Sequence, residues 1–239
     1  MKWILLMIVA TVAMANALKV TASRPAAASW KRTLCGSPSG GSKVDIPSKW
    51  ASQVSADSTP LVAYPRPQMV RGAQSGLSSS QFRDIGDDAS WTNLNGLWEW
   101  ERTDSGSAVP FGRTLNSSIL VPFPVESCLS GVSPQSSAEI AMHMWYRLTF
   151  DAKLDADSST LLHFGAIDWQ ASVYLNGKFL GNHTGGYDGF DFDVSDSIKP
   201  TGNELLVYAF DPSDTGVQSN GKQRISAIDS PGGNCVVIL

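Results

Sequence analysis

Charge is scarce in this chain and cysteine scarcer: Asp, Glu, Lys and Arg make up 17% of its 239 residues, and there are three cysteines. With a net charge of −4 there is no basic excess. A nucleic-acid partner or an anionic membrane surface, either of which needs clustered Lys and Arg, is therefore not expected. Cys35, Cys128 and Cys235 show no metal-ligand spacing and are too few for a disulfide framework. At most one internal disulfide can form among them. That leaves a free or intermolecular thiol, and with it room for a disulfide-linked partner. Cys235 stands fifth from the end rather than fourth, so it is no prenylation site. Helical periodicity is missing too: past the first residues no 3.6-residue apolar pattern lasts three turns. His143, His163 and His183 are scattered without ligand spacing. Nucleophile elbows, Cys–His patterns and phosphate-binding loops do not occur, and no metal or cofactor is expected.

What is present begins with a targeting pattern. Lys2 precedes an apolar or small run from Trp3 to Met14, and Ala15-Asn16-Ala17 has the small-x-small form of a cleavage site. The run falls short of the roughly 20 residues that span a bilayer, so residues 1–17 are expected to be a removable signal peptide and the product secreted and extracellular. Two sequons, Asn116-Ser117-Ser118 and Asn182-His183-Thr184, fit that route as glycosylation sites. Residues 18–60 are rich in Ala, Ser, Pro and Gly and bury little apolar area, which predicts a loose arm tacked down by Trp50 and Val54.

Strand signals fill residues 61–229. Tyr64-Pro65-Arg66-Pro67 holds an extended backbone, and Gly72–Ala89 is a polar, Ser-rich loop. Asn95–Glu101 alternates apolar and charged residues with period two. Further strands are expected at Ile119–Val121, Trp145–Asp151, Leu161–Ala166, Trp169–Leu175 and Leu205–Phe210. Between Val173 and Leu180, Asn176-Gly177 accepts the positive φ values of a type I′ hairpin turn. Asp188, Asp191, Asp193 and Asp196 miss the calcium-loop spacing; with Phe190, Phe192 and Val194 between them they predict solvent-facing acids alternating with core residues. His163, opposite Phe164, is expected to be exposed or hydrogen-bonded. Eight Trp in such a chain serve the core first and sugar stacking second. Short strands with frequent turns predict an all-β sandwich.

Several segments go further than composition. Leu94-Asn95-Gly96-Leu97-Trp98, Val121-Pro122-Phe123-Pro124-Val125-Glu126-Ser127, Gly185-Gly186-Tyr187-Asp188-Gly189-Phe190 and Gly221-Lys222-Gln223 follow one another in register. Together they resemble the N-terminal sugar-binding domain of glycoside hydrolase family 2, the β-galactosidase and β-glucuronidase group. The resemblance implies a jelly-roll, galactose-binding-domain-like β-sandwich over residues 61–229, with residues 230–239 as a divergent tail. It also implies that polar loop residues, here Glu126, Asp214, Lys222 and Gln223, help to hold a sugar. Carboxylates accept from vicinal hydroxyls while Lys and Gln donate. The alternative is structural: Glu126 caps a loop, and Asp211 and Asp214 shape an Asx-rich turn, the reading favoured for Asp211.

In that family the two catalytic carboxylates, about 5 Å apart in a retaining enzyme, come from a (β/α)₈ barrel of about 250 residues. Only residues 224–239 follow Gln223. No catalytic residue is assigned, and a carbohydrate-binding module without turnover is the expectation. The alternatives are the front part of a glycosidase acting on β-galactosides or β-glucuronides, and a secreted interaction protein using the sandwich surface.

Overall fold

The computed structural model describes residues 53–57, 92–132, 142–154, 159–213 and 215–219, and among them no α-helix forms. Eight strands follow in chain order: β1 Gly96–Arg102, β2 Ser117–Val121, β3 His143–Phe150, β4 Leu161–Phe164, β5 Gln170–Leu175, β6 Lys178–Thr184, β7 Phe190–Asp193 and β8 Asn203–Phe210. Six make one antiparallel sheet in the order β2-β1-β3-β8-β5-β6, and β4 pairs with β7 in a second. Side chains of the large sheet, including Trp98, Val173 and Leu205, share one apolar core with Leu162, Phe164 and Val194 from the smaller layer. The fold is an all-β sandwich, as the alternation predicts.

The period of two decides which residues enter that core. Along β5, Ala171, Val173 and Leu175 are buried while Ser172 and Tyr174 stand on the outer face. In β7, Phe190 and Phe192 pack against the core while Asp191 and Asp193 are exposed, so the acidic run alternates as expected. Asp191 pairs with the Nδ1 of His163 across β4 and β7. Asp193 accepts from the backbone and hydroxyl of Ser195.

The hairpin between β5 and β6 turns at Asn176 and Gly177, both with positive φ (53° and 83°), as a type I′ turn requires. Asn176 also ties this turn to β8. Its Nδ2 donates to Ser197 O and to Asn203 Oδ1, and its Oδ1 accepts from Glu204 N. Asn203 is fully buried and donates to Lys199 O and Phe150 O. A buried amide costs about 1–3 kcal/mol if left unpaired; here the bonds fix the start of β8 against the hairpin.

Two strand ends differ from expectation, with consequences for the site. Strands β4 and β5 stop short of each other, at Phe164 and Gln170 rather than at Ala166 and Trp169. Trp169 N still donates to Phe210 O, so the loop stays fastened to β8 while Ala166, Ile167 and Asp168 turn toward the open end of the sandwich. At the other side, Val54 packs against Cys128 and Leu129, so the end of the arm does touch the domain. Trp50, the Gly72–Ala89 loop and residues 230–239 lie outside the described residues.

Candidate functional site

A cavity of about 220 Å³ opens where the small layer leaves the large sheet uncovered. Its floor comes from the inner faces of β3 and β8 (Met144, Tyr146, Val207 and Ala209). One wall is Val121–Glu126, the end of β2 and the segment that follows it. The opposite wall is the β4–β5 loop, Ala166–Asp168, and Asp211 closes the end of β8. An apolar floor with a few convergent polar groups is the usual composition of a small-molecule site.

Three carboxyls share this cavity, and each is shifted the same way. Glu126 is 6% exposed. Loss of hydration raises its pKa from 4.5 to about 7; a bond from its own backbone N–H opposes the rise and the nearby Asp211 charge adds to it. Asp211 is raised from 3.8 to about 6, first by burial and then by Asp168, against the lowering effect of the Ser213 N–H. Burial also raises Asp168. The Tyr146 hydroxyl beneath them is pushed up, first by burial and then by the charge on Glu126. Near neutral pH the pocket thus holds carboxyls poised between charged acceptor and neutral donor.

The local chain explains how these groups are placed. The Pro122–Ser130 wall is held by serines: Ser130 Oγ donates to Val125 O, Ser127 Oγ accepts from Leu129 N, and Ser130 O accepts from Leu120 N. The Glu126 carboxyl itself accepts from its own backbone N–H and lines the cavity. Asp211 does shape an Asx turn, its Oδ1 accepting from Ser213 N at 2.6 Å, yet it lines the cavity as well. The Gly-Gly pair of the Gly-Gly-Tyr block has a steric reason. A Cβ at Gly186 would stand 2.6 Å from the Asp168 carboxyl, and one at Gly185 2.5 Å from Asp188 Oδ1. Glycine there lets the β6–β7 loop close over Asp168.

Of the four sugar-binding candidates, Glu126 lies in the cavity. Asp214, Lys222 and Gln223 are outside the described residues. The sequons are accessible: Asn116 precedes β2 and is exposed, and Asn182 is exposed on β6. Sequence reasoning passed over Asp168 and Tyr146. Asp168 carries no motif of its own, and the signal that finds it is the neighbouring demand for glycine at position 186. Tyr146 reads as one more alternating strand residue until its neighbours are known. Among the described residues no cluster of His, Cys, Asp and Glu is arranged to hold a metal ion.

Residues 134–235 match the family model described as a glycosyl hydrolase 2 galactose-binding domain-like domain. The chain is 39% identical over 66 residues to a β-galactosidase of Thermoanaerobacter pseudethanolicus, covering 26% of the chain and 9% of that protein. It is 28% identical over 126 residues to a β-galactosidase of an Arthrobacter species, covering 51% of the chain and 11% of that protein. About a tenth of the length of these curated relatives is therefore spanned. Among solved structures, the β-glucuronidase of Bifidobacterium dentium complexed with coumarin-3-O-glucuronide aligns at 25% identity with a TM-score of 0.38, over 49% of this chain and 19% of that one.

Proposed function

We propose that this chain, whose residues 134–235 match the galactose-binding-like domain of glycosyl hydrolase family 2, is the sugar-holding sandwich of a glycosidase. In this reading the hydrolytic carboxylates come from a catalytic domain, and this unit binds a sugar without turning it over. The observation that carries the reading is the cavity. Its volume of about 220 Å³ lies below the roughly 300–1,000 Å³ of drug-sized sites and suits one sugar ring. Tyr146 and Met144 offer the ring an apolar floor, while Glu126, Asp168 and Asp211 meet its hydroxyls.

The same three acids bear on which sugar enters. A uronate would bring a fourth carboxyl into a cavity that already suppresses ionisation of Glu126 and Asp211. A neutral hexopyranoside carries no such cost. We therefore assign a β-galactoside-type sugar ahead of a β-glucuronide. Calorimetric titration of the chain with methyl β-galactoside and with glucuronate, at pH 5 and pH 8, tests this. The galactoside should bind at millimolar concentration, and glucuronate should gain relative to it at pH 5. Absence of heat with both sugars sinks the binding role; release of nitrophenol from an aryl galactoside by the purified chain sinks the non-catalytic one.

A secretory destination is part of the proposal. It is supported by the apolar run of residues 3–14 with Ala15-Asn16-Ala17, by the exposed sequons, and by Cys128, which is disulfide-bonded; disulfides persist in oxidising compartments. Amino-terminal sequencing of the secreted product should begin at Leu18.

A further inference from the structure

The outer face of the large sheet carries an aromatic group that the cavity does not use. Phe179 of β6 is 49% exposed and Phe111 is 44% exposed. Both rings meet Tyr174 of β5, with centroids 5.1 and 5.7 Å away. Exposed aromatics scattered singly need no explanation, but three in contact at a sheet edge form a platform.

The sequon at Asn182 lies three residues after Phe179, and in a regular strand such residues point to opposite faces. Here they share one. The pairing of β5 with β6 shifts between Val173 and Tyr174, so that Tyr174 faces Phe179, Val173 faces Gly181 and Ser172 faces Asn182. Leu180 is the extra residue of this bulge. Contacts confirm the geometry: the Phe179 ring meets Tyr174 at a tilt, and Ser172 Oγ donates to Asn182 Oδ1 at 2.7 Å. Ser172 and Tyr174 are two residues apart on β5, hence on one face and about 7 Å apart. Phe179 and Asn182 therefore stand side by side on that same face. The bond from Ser172 occupies Oδ1, and Nδ2 is the atom that takes a glycan.

We propose that Asn182 carries an N-linked glycan whose first N-acetylglucosamine packs its C–H face on the Phe179 ring, with the β6 bulge serving to bring the two together. The inference rests on the secretory reading above. A pyranose face turned to an aromatic ring buries apolar C–H surface against a flat partner that loses little conformational freedom. The glycan also covers the end of the sheet, since β6 is its last strand among the described residues. An uncovered edge is a route to strand-to-strand association.

The test is expression of the full chain in a glycosylating secretory host, with occupancy at Asn182 read by peptide mass spectrometry. Thermal midpoints are then compared for three forms: intact glycan, trimmed to the first N-acetylglucosamine, and fully deglycosylated. The intact and trimmed forms should melt alike, about 2–4 °C above the bare chain for a domain of this size. In Phe179→Leu, which keeps apolar bulk and loses the ring, that difference should disappear. An equal glycan-dependent shift in wild type and Phe179→Leu, or no shift in wild type, overturns the packing. A secreted chain unmodified at Asn182 overturns the site. A chain retained in the cell with residues 1–17 attached overturns the secretory premise, and the proposal with it.

Discussion

At the scale of single residues, Glu126 is the most informative side chain. A carboxyl that is 6% exposed, with its pKa raised to about 7, binds its proton more tightly in the folded chain than in the unfolded one. Its contribution to stability is therefore fully present below pH 4.5 and is lost as pH rises through about 7. Asp211 acts in the same direction between 3.8 and about 6. The chain should be more stable at pH 5 than at pH 8, by on the order of 2–3 kcal/mol from Glu126. In Glu126→Gln most of this slope should vanish, as urea midpoints across that range would reveal. A wild-type profile flat from pH 5 to 8 would contradict the burial of Glu126. The glycine at 186 sets a second residue-scale expectation. Gly186→Ala drives a methyl into the Asp168 carboxyl, so it should weaken galactoside binding while leaving the melting transition cooperative.

Between residues and the whole fold, the elements are fastened by a few polar groups on the side of the large sheet away from the core. Arg147 on β3 donates to Glu99 of β1 and Glu204 of β8, at 2.8 and 2.7 Å. Those acids also accept from Leu115 N and Gly112 N, which holds the β1–β2 loop over Trp145. All three charged side chains are 12–17% exposed. Arg147→Met leaves two poorly hydrated acids facing each other and should cost roughly 3 kcal/mol in chemical unfolding; Lys, lacking the fork, should rescue little of it. The hairpin gives a paired test. A Cβ at Gly177 meets nothing within 4 Å, so Gly177→Ala carries only the strain of φ 83°, about 1 kcal/mol. A Cβ at Gly181 stands 2.7 Å from the Phe192 ring at φ 155°, so Gly181→Ala should lose clearly more. Equal losses would mean that the ring moves freely. This hairpin is also where the sequence speaks most clearly. Asn176-Gly177 names its turn type and the alternation names its faces, because both follow from backbone geometry alone. The bulge at Leu180 has no local signature. It arises from how β6 must fit β5 and Phe192 together, and the placing of Asn182 beside Phe179 is hidden with it. Asp168 escapes notice for the same reason, since its surroundings depend on how the β6–β7 loop, with Gly186, closes over it.

On the scale of the molecule, what distinguishes the fold is unequal layers, six strands against two among the described residues. The cavity sits where the smaller layer ends, so its walls depend on loops rather than on sheet. The wall from Pro122 to Ser130 is the one with a covalent tie. Cys128 is buried beside Leu129, Phe123 and Val54, and it is disulfide-bonded. The other two cysteines, Cys35 and Cys235, lie outside the described residues, each about 100 positions away. Closing a loop of that length restricts the unfolded chain by about 4–5 kcal/mol in the entropic account, whichever cysteine is the partner. Reduction should therefore lower the unfolding free energy by about 2–5 kcal/mol, and because Cys128 anchors one wall of the cavity, it should weaken galactoside binding before the fold is lost. Thiol titration of the unreduced, denatured chain should find one free cysteine, and a peptide map should name the partner. Three free thiols would remove the tie, and a Cys128→Ser chain that binds and unfolds like the wild type would show that the serine bonds hold the wall unaided.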